Sequence, residues 1–405
     1  MTEVWALAAL WLGLALIATL VAIWLKVATA LSEIVVGIVA QLVIGALVGS
    51  AVLGTDESWI KFLSGTGAIV LTFLAGAELD PVVFKAKWKE ATAVGLVSFA
   101  APFLGCAAAA YYLLQWNVEA SWLAGVAMST TSVAVVYAVM LEFGLNKTNY
   151  GKTVLAACFV TDLGTVLALG FIFAPFTYRT LIFFGAGIAA FAILPWLTPR
   201  FFKRYGNRPS ELEAKYLLLC LFGLGALASW ADSEAVLPAY IIGMVLAGTV
   251  GKDHSLIRRL RTLTFGLLTP FYFIRAGSFV SVPALVSGFG AFLVLLLAKM
   301  ATKFAGVYPM TKIYKSPEKE AMYTTLLMST GLTFGSISAL FGLSHNIIDQ
   351  TQYSLLIVAV IASAVVPTLI ANAFFLPHHL LGKTPGTDEP PPATNPVAAR
   401  APQIK

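Results

Sequence analysis

Three groups of residues in this 405-residue chain could do chemistry, and all three are surrounded in sequence by apolar residues. The first is Asp162, inside the run Phe159-Val160-Thr161-Asp162-Leu163-Gly164. The second is the hydroxyl-rich stretch Met128-Ser129-Thr130-Thr131-Ser132-Val133, whose opening is written again 200 residues later as Met328-Ser329-Thr330-Gly331-Leu332-Thr333. The third is the pair Lys299 and Lys303, four residues apart and so on one helical face. An ionised carboxylate deep in a bilayer is costly, so it persists only where it faces a cavity or a partner. Removal of water disfavours its charged form, which lets a proton and a monovalent cation compete for one site. Hard monovalent cations take oxygen ligands, and a helix broken inside the membrane supplies them as freed carbonyls beside hydroxyls. These residue types therefore suit reversible binding of a metal cation and a proton. Asp162, Thr161, Thr130, Thr131 and Ser132 would surround the ion, with Thr330, Gly331 and Thr333 in the matching stretch. Taken alone, either hydroxyl stretch could equally be an unbroken helix whose Ser and Thr bond back to their own carbonyls.

The elements that must hold these groups are membrane helices. Hydrophobic residues make up 59 % of the chain and charged residues 11 %, against roughly 25 % charged in a soluble domain, so the chain reads as an all-α, polytopic membrane protein. At about 20 apolar residues per crossing, 13 spans are expected: 4–25, 31–53, 60–78, 91–114, 121–141, 151–174, 179–197, 213–230, 235–250, 263–280, 284–308, 320–343 and 352–376. The first run has neither a basic leader nor a small-residue cleavage site, so it counts as a span and not a removable signal. Residues 1–381 form the transmembrane part. Residues 382–405, rich in Pro, Thr and Ala, read as a disordered tail. Cys106, Cys158 and Cys220 fall within apolar spans at no metal or redox spacing and read as packing residues.

Of the 26 Lys and Arg residues, 21 fall in the loops after odd-numbered spans or in the tail, and two, Lys61 and Arg179, on the opposite side. Short cytoplasmic loops collect basic residues, which puts the N-terminus outside and the C-terminus in the cytoplasm. Topology thereby accounts for the net charge of +6, and no nucleic-acid partner is implied. Arg275, Lys299 and Lys303 remain inside spans; Arg275 reads as holding span 10 to a neighbour or to a lipid headgroup. Glu78 and Asp80, near the cytoplasmic mouth of span 3, either end that helix or help to collect cations. An offset of about 200 residues also aligns Phe73-Leu74-Ala75-Gly76 with Phe273-Ile274-Arg275-Ala276-Gly277. It pairs spans 1–6 with spans 8–13 about a lone span 7, an inverted-topology repeat (6+1+6) with two crossing broken helices. Span 11 is then the partner of span 4, beside the crossing. Counted inward from the outer end, Lys299 is nearer the midplane and is expected to couple to Asp162, whereas Lys303 could snorkel toward the cytoplasm.

At these residues the sequence resembles the monovalent cation:proton antiporters, in the branch of the NapA-type sodium/proton antiporters and the Kef-type potassium efflux proteins. The resemblance covers essentially all of residues 1–380. It is carried by Phe73-Leu74-Ala75-Gly76-Ala77-Glu78-Leu79-Asp80, Ser129-Thr130-Thr131-Ser132-Val133, Asp162, Pro270-Phe271-Tyr272-Phe273 with Gly277, and Lys299. It implies 13 helices, a homodimer formed by one part (spans 1–3 and 8–10), and a core part (spans 4–6 and 11–13) that moves like an elevator with the ion at the aspartate. It further implies Na⁺ or K⁺ and H⁺ as the transported ions and the inner (cell) membrane of a prokaryote as the location. Two departures stand out. Electrogenic members carry an acid before the essential aspartate, paired with the lysine of span 11, where this chain has Thr161. Many members have an Arg-Gly-Glu run in the second broken helix, where this chain has Gly331-Leu332-Thr333. The first departure points to electroneutral exchange, because one carboxylate carries one charge in each direction.

The expected function is therefore secondary antiport of Na⁺ or K⁺ against H⁺, with no cofactor and no enzymatic chemistry. The alternatives are a channel-like potassium efflux protein and a non-transporting membrane sensor. A gated efflux protein usually carries a nucleotide-binding domain, and a sensor has no need of matched broken helices around one acid. An intramembrane hydrolase is disfavoured, since His254, His345, His378 and His379 fall at span ends or in loops and no His or Glu pair within the spans has metal-ligand spacing.

Overall fold

The structure, a computed structural model, describes residues 2–25, 28–47, 53–77, 81–145, 148–173, 177–206, 210–231, 233 and 235–380. Lys26, Glu78, Asp80, Lys147, Arg208 and the tail 382–405 lie outside the described residues. Every regular element among the described residues is helical. In chain order these are α1 (Thr2–Leu25), α2 (Thr29–Leu47), α3 (Ser58–Ala77), α4 (Pro81–Ala108), α5 (Val118–Ser129), α6 (Val133–Glu142), α7 (Asn149–Phe173), α8 (Tyr178–Tyr205) and α9 (Leu212–Trp230). They continue with α10 (Val236–Leu246), α11 (His254–Leu263), α12 (Thr269–Ser278), α13 (Val282–Ser287), α14 (Phe289–Ile313), α15 (Glu318–Met328), α16 (Thr333–Ser344) and α17 (Gln350–Ile370).

Nine helical stretches among the described residues are long and apolar enough to cross a membrane. Their outward positions are apolar as well: α1 exposes Trp5, Ile23 and Trp24, and α8 exposes Leu181, Ile188 and Trp196. A helix that is apolar all round and still exposed suits lipid and not water. The protein is an integral, multi-pass membrane protein.

Polar caps mark where several helices begin. The Asn117 side chain accepts from the Ala120 amide at 2.7 Å to start α5, and Asp349 with Gln352 forms a reciprocal capping box at the head of α17. Asp253 does the same for α11, accepting from the Ser255 and Leu256 amides. That cap moves the expected start of span 10 back from 263. α11 is amphipathic, with Leu256, Ile257 and Leu260 buried and Arg258 and Arg259 exposed, and a wide turn at 264–268 carries it into the apolar α12. The expected loop residues Lys85 and Lys89 lie on the first turns of α4, on either side of a kink at Lys87, whose backbone is not helical. Span 9 is shorter than expected, a helix over Val236–Leu246 followed by turns.

The buried apolar residues group into clusters. The first and largest joins residues of α4 to α7 with α14 to α17 and takes in residues of α2, α3, α10 and α12, and the next joins α3 with α8 to α11. α4 is central to the first, packing on α5, α7 and α14. Its approach to α14 depends on Gly306, where a Cβ would stand 2.7 Å from Val97 Cγ1 and 3.0 Å from Ala101 Cβ. With hydrogen there instead, the helices close and bring the lysine face of α14 against α4.

Candidate ion-binding site

α5 stops at Ser129 and α6 resumes at Val133; α15 stops at Met328 and α16 resumes at Thr333. The two interruptions fall 200 residues apart, as the paired motifs led one to expect, and they meet. The Ser132 amide donates to Thr330 O at 3.2 Å, and Thr131 Oγ1 donates to Met328 O at 2.8 Å. Backbone groups freed by the breaks thus find partners across the junction, as they must where water is absent. Thr333, expected in the second break, is the first residue of α16.

Asp162 on α7 faces this junction and is 1 % exposed. Its carboxyl group accepts the backbone amide of Thr131, while its Oδ1 has no hydrogen-bond partner among the described residues. Thr161 Oγ1 donates at 3.1 Å to Gly95 O on α4, and lies equally close to Ala157 O, so this hydroxyl ties α7 to α4. Thr130 and Thr330 hydroxyls turn back to Ala127 O and Leu327 O, at 3.4 and 2.7 Å. Ser132 Oγ accepts the Val135 amide and caps α6. The back-bonded alternative therefore holds for the hydroxyls of Thr130 and Thr330, while Thr131 reaches across.

The lysines are placed differently from expectation. Lys303 does not reach the membrane surface: it is fully buried, and its Nζ donates to Ser98 Oγ at 2.8 Å and to Thr131 Oγ1 at 3.0 Å. Its charge acts on Asp162. Lys299, also fully buried, donates to Ser363 Oγ on α17 at 3.0 Å and lies against Gly331 in the second break. The physical reason is register: one helical turn, about 5.4 Å, separates the two ammonium groups along α14 and assigns one to each break. Gly331 has no positive φ. What it supplies is room, since a Cβ there would meet the Lys299 ammonium and stand 2.6 Å from Thr130 Oγ1.

A cavity of about 280 Å³ lies between the N-terminal ends of α4, α7 and α15 and the C-terminal end of α14, lined among others by Glu90, Tyr150, Thr153, Ala157 and Glu320. It reaches Ala157, little more than one turn before Asp162. On another side Tyr240 of α10 donates to Phe159 O at 2.9 Å and sets its ring edge-on to Phe334. The free oxygen of Asp162 is a hard, anionic ligand that can take a proton or an alkali cation.

The sodium/hydrogen exchanger transmembrane family model matches residues 12–376. The chain belongs to the sodium/hydrogen exchanger family. It is thus a member of the monovalent cation:proton antiporters, the group its motifs resemble. A Na⁺/H⁺ antiporter of Enterococcus hirae is 26 % identical over 357 residues, covering 83 % of this chain and 91 % of that protein. The Na⁺/H⁺-K⁺ antiporter GerN of Bacillus cereus is 22 % identical over 355 residues, with 83 % and 89 % covered. Among solved structures, the sodium proton antiporter MjNhaP1 from Methanocaldococcus jannaschii at pH 8 superposes with a TM-score of 0.68 at 16 % identity, covering 94 % of this chain and 98 % of that one. The fold is shared. In this exchanger the motifs miss Ser98, Ser363, Thr165 and Tyr240, all buried and hydrogen-bonded around the junction. Only the pairing of spans 4 and 11 hinted at Ser98, and nothing in the sequence marked the others.

Proposed function

We propose that the protein is a secondary antiporter that exchanges Na⁺ or K⁺ for H⁺, one for one. The observation that carries this reading is the unpartnered, buried Oδ1 of Asp162 at the meeting of two broken helices. A carboxylate left with an open oxygen and buried from solvent is stabilised by neutralisation, and a proton or an alkali cation does so interchangeably. The names of the E. hirae and B. cereus relatives agree with sodium and potassium as substrates. Asp162 holds the ion, the carbonyls of the two breaks complete its oxygen shell, the Thr131 hydroxyl holds Lys303 beside it, and Lys303 is the fixed cation that faces it. The preceding acid of electrogenic members is absent, and Thr161 in its place is committed to α4, which supports electroneutral exchange.

The mechanism is an elevator in which α4–α7 and α14–α17 carry the ion past a fixed, dimer-forming part built from α1–α3 and α9–α12. The packing of α4 on α5, α7 and α14, and of α3 on α10 and α12, supports this division. Adding the two shorter apolar helices, the α5–α6 pair and the α11–α12 stack to the nine long stretches brings the crossings to 13. The inverted repeat is supported by the matched breaks and by two equivalent glycine contacts, Gly37 with Gly277 and Gly76 with Gly243. The protein works as a homodimer in the lipid of a prokaryotic cell membrane, N-terminus outside and C-terminus in the cytoplasm, and the cavity beside Ala157 is the cytoplasmic entry. The test is proton flux in proteoliposomes with Na⁺, K⁺ and Li⁺ added in turn. Cation-driven proton movement with at least one ion is expected; none with any of the three would refute the reading.

A further inference from the structure

The hydroxyl protons around Lys303 can be assigned, and they form a directed chain. Thr131 Oγ1 has one hydrogen, which goes to Met328 O at 2.8 Å. Thr131 must therefore be the acceptor in its 3.4 Å contact with Ser98 Oγ, and Ser98 the donor. Ser98 in turn accepts from the Lys303 ammonium at 2.8 Å, and Thr131 accepts from it at 3.0 Å. Lys303, Ser98 and Thr131 are each at most 1 % exposed. An ammonium has three donors, and two of those of Lys303 are taken by these hydroxyls. The titratable and charged groups that act on it are Lys299 on its own helix, Cys158 and Asp162 on α7, and Cys106 on α4. Of these, Asp162 is the one with a buried, unpartnered oxygen. A lysine and a carboxylate thus face each other through a low-dielectric interior without forming an ion pair among the described residues, because two neutral hydroxyls hold the lysine back.

We propose that Ser98 is a positioning residue which, with Thr131, holds the Lys303 ammonium off Asp162 and so keeps the carboxylate open to the transported cation. The inference rests on the antiporter reading above. Ser98 is the shorter of the two contacts and comes from α4, so its loss frees the ammonium on the side where no other hydroxyl replaces it. The ammonium then competes with the alkali cation for the open oxygen of Asp162. A hydrogen bond to a charged group is strong enough that its loss should raise the apparent KM for the cation about tenfold. The maximal rate changes far less, since the carboxylate itself is untouched.

The experiment compares wild type, Ser98→Ala, Ser98→Thr, Lys303→Met and the Ser98→Ala/Lys303→Met double variant. Flux in proteoliposomes gives KM and maximal rate. The rise in thermal unfolding midpoint of the purified protein with added Na⁺ or K⁺ gives binding without turnover, so inactive variants are also measured. We expect KM and the cation concentration that gives half of the thermal stabilisation to rise about tenfold in Ser98→Ala, to return toward wild type in Ser98→Thr, and to be unaffected by Ser98→Ala once Lys303 is Met. An unchanged KM in Ser98→Ala overturns the proposal, as does a rise that persists in the Lys303→Met background, because the effect would then not act through the lysine. A wild-type protein that no alkali cation stabilises or drives would instead overturn the antiporter reading, and this inference with it.

Discussion

Asp162→Asn separates the chemistry of the site from its architecture. Asn keeps the size of the side chain and an oxygen to accept the Thr131 amide, but it cannot alternate between a proton and a cation. The stability cost follows from the surroundings. The position is 1 % exposed and Oδ1 already has no partner, so the new amide group buries two N–H donors, at a cost of at most about 1–3 kcal/mol where no carbonyl of the breaks accepts them. That is tolerable against a folding margin of about 5–15 kcal/mol, and the variant should purify as a folded protein. Its response to the substrate should vanish. A wild-type site at a cation concentration about 100 times Kd gains about 2.7 kcal/mol from binding, and the Asn variant should gain none of it. The assays are cation-driven proton flux in proteoliposomes and thermal unfolding with and without the cation. A folded Asp162→Asn protein that still couples cation to proton movement, or is still stabilised by the cation to the same extent, would refute the single-carboxylate mechanism.

Thr131→Ala should raise the KM for the cation more than it lowers the maximal rate, since Thr131 links Lys303 to the second break, whereas Ser132→Ala should leave KM alone and cost about 1 kcal/mol as a lost cap of α6; equal KM values for Thr131→Ala and wild type would remove Thr131 from the site. Gly331→Ala places a methyl group 2.6 Å from Thr130 Oγ1, 3.3 Å from Ser363 Oγ and onto the Lys299 ammonium, so it should destabilise the junction by about 1–3 kcal/mol and slow exchange. A wild-type unfolding midpoint for Gly331→Ala would show that the second break is more open than described. Exchange rate and end point should not respond to an imposed membrane potential; a reversal potential that shifts with voltage would reveal a second titrating group, with Lys299 and the buried Glu33 of α2 as the candidates.

What was legible in the sequence is what differs in kind from its background. An aspartate, hydroxyl clusters and a glycine stand out among leucines and valines, so Asp162 and both breaks could be placed from the chain alone, the second with only Thr333 assigned one residue too generously. The start of span 10 was hidden because α11 is too charged to resemble a crossing, and its helix is set by the Asp253 cap and three buried apolar residues instead. The roles of the lysines were hidden for a different reason. Counting along a span gives depth, but which neighbour a side chain meets depends on how far α14 slides along α4, and that is decided by a contact between Gly306 and Val97. Hydroxyl partners are hidden in the same way: Thr130 and Thr131 are adjacent and alike, yet one bonds its own helix and the other the opposite break.

That difference bears on the charge carried in the proposed cycle. Two lysines and one acid at one junction would trade protons among themselves if either lysine were paired with the carboxylate. Here each ammonium is held by neutral oxygens, Lys303 by Ser98 and Thr131 and Lys299 by Ser363. Neither has to gain or lose a proton to keep its partner when Asp162 changes occupant. As long as each lysine keeps one protonation state, the two travel unchanged in both directions with the moving part and their charges cancel over a cycle. Asp162 contributes the same net charge with a proton or with an alkali cation bound, so no charge is left over unless a lysine titrates during the cycle, and the electroneutrality inferred from the absence of an acid at Thr161 is what the response to an imposed potential decides.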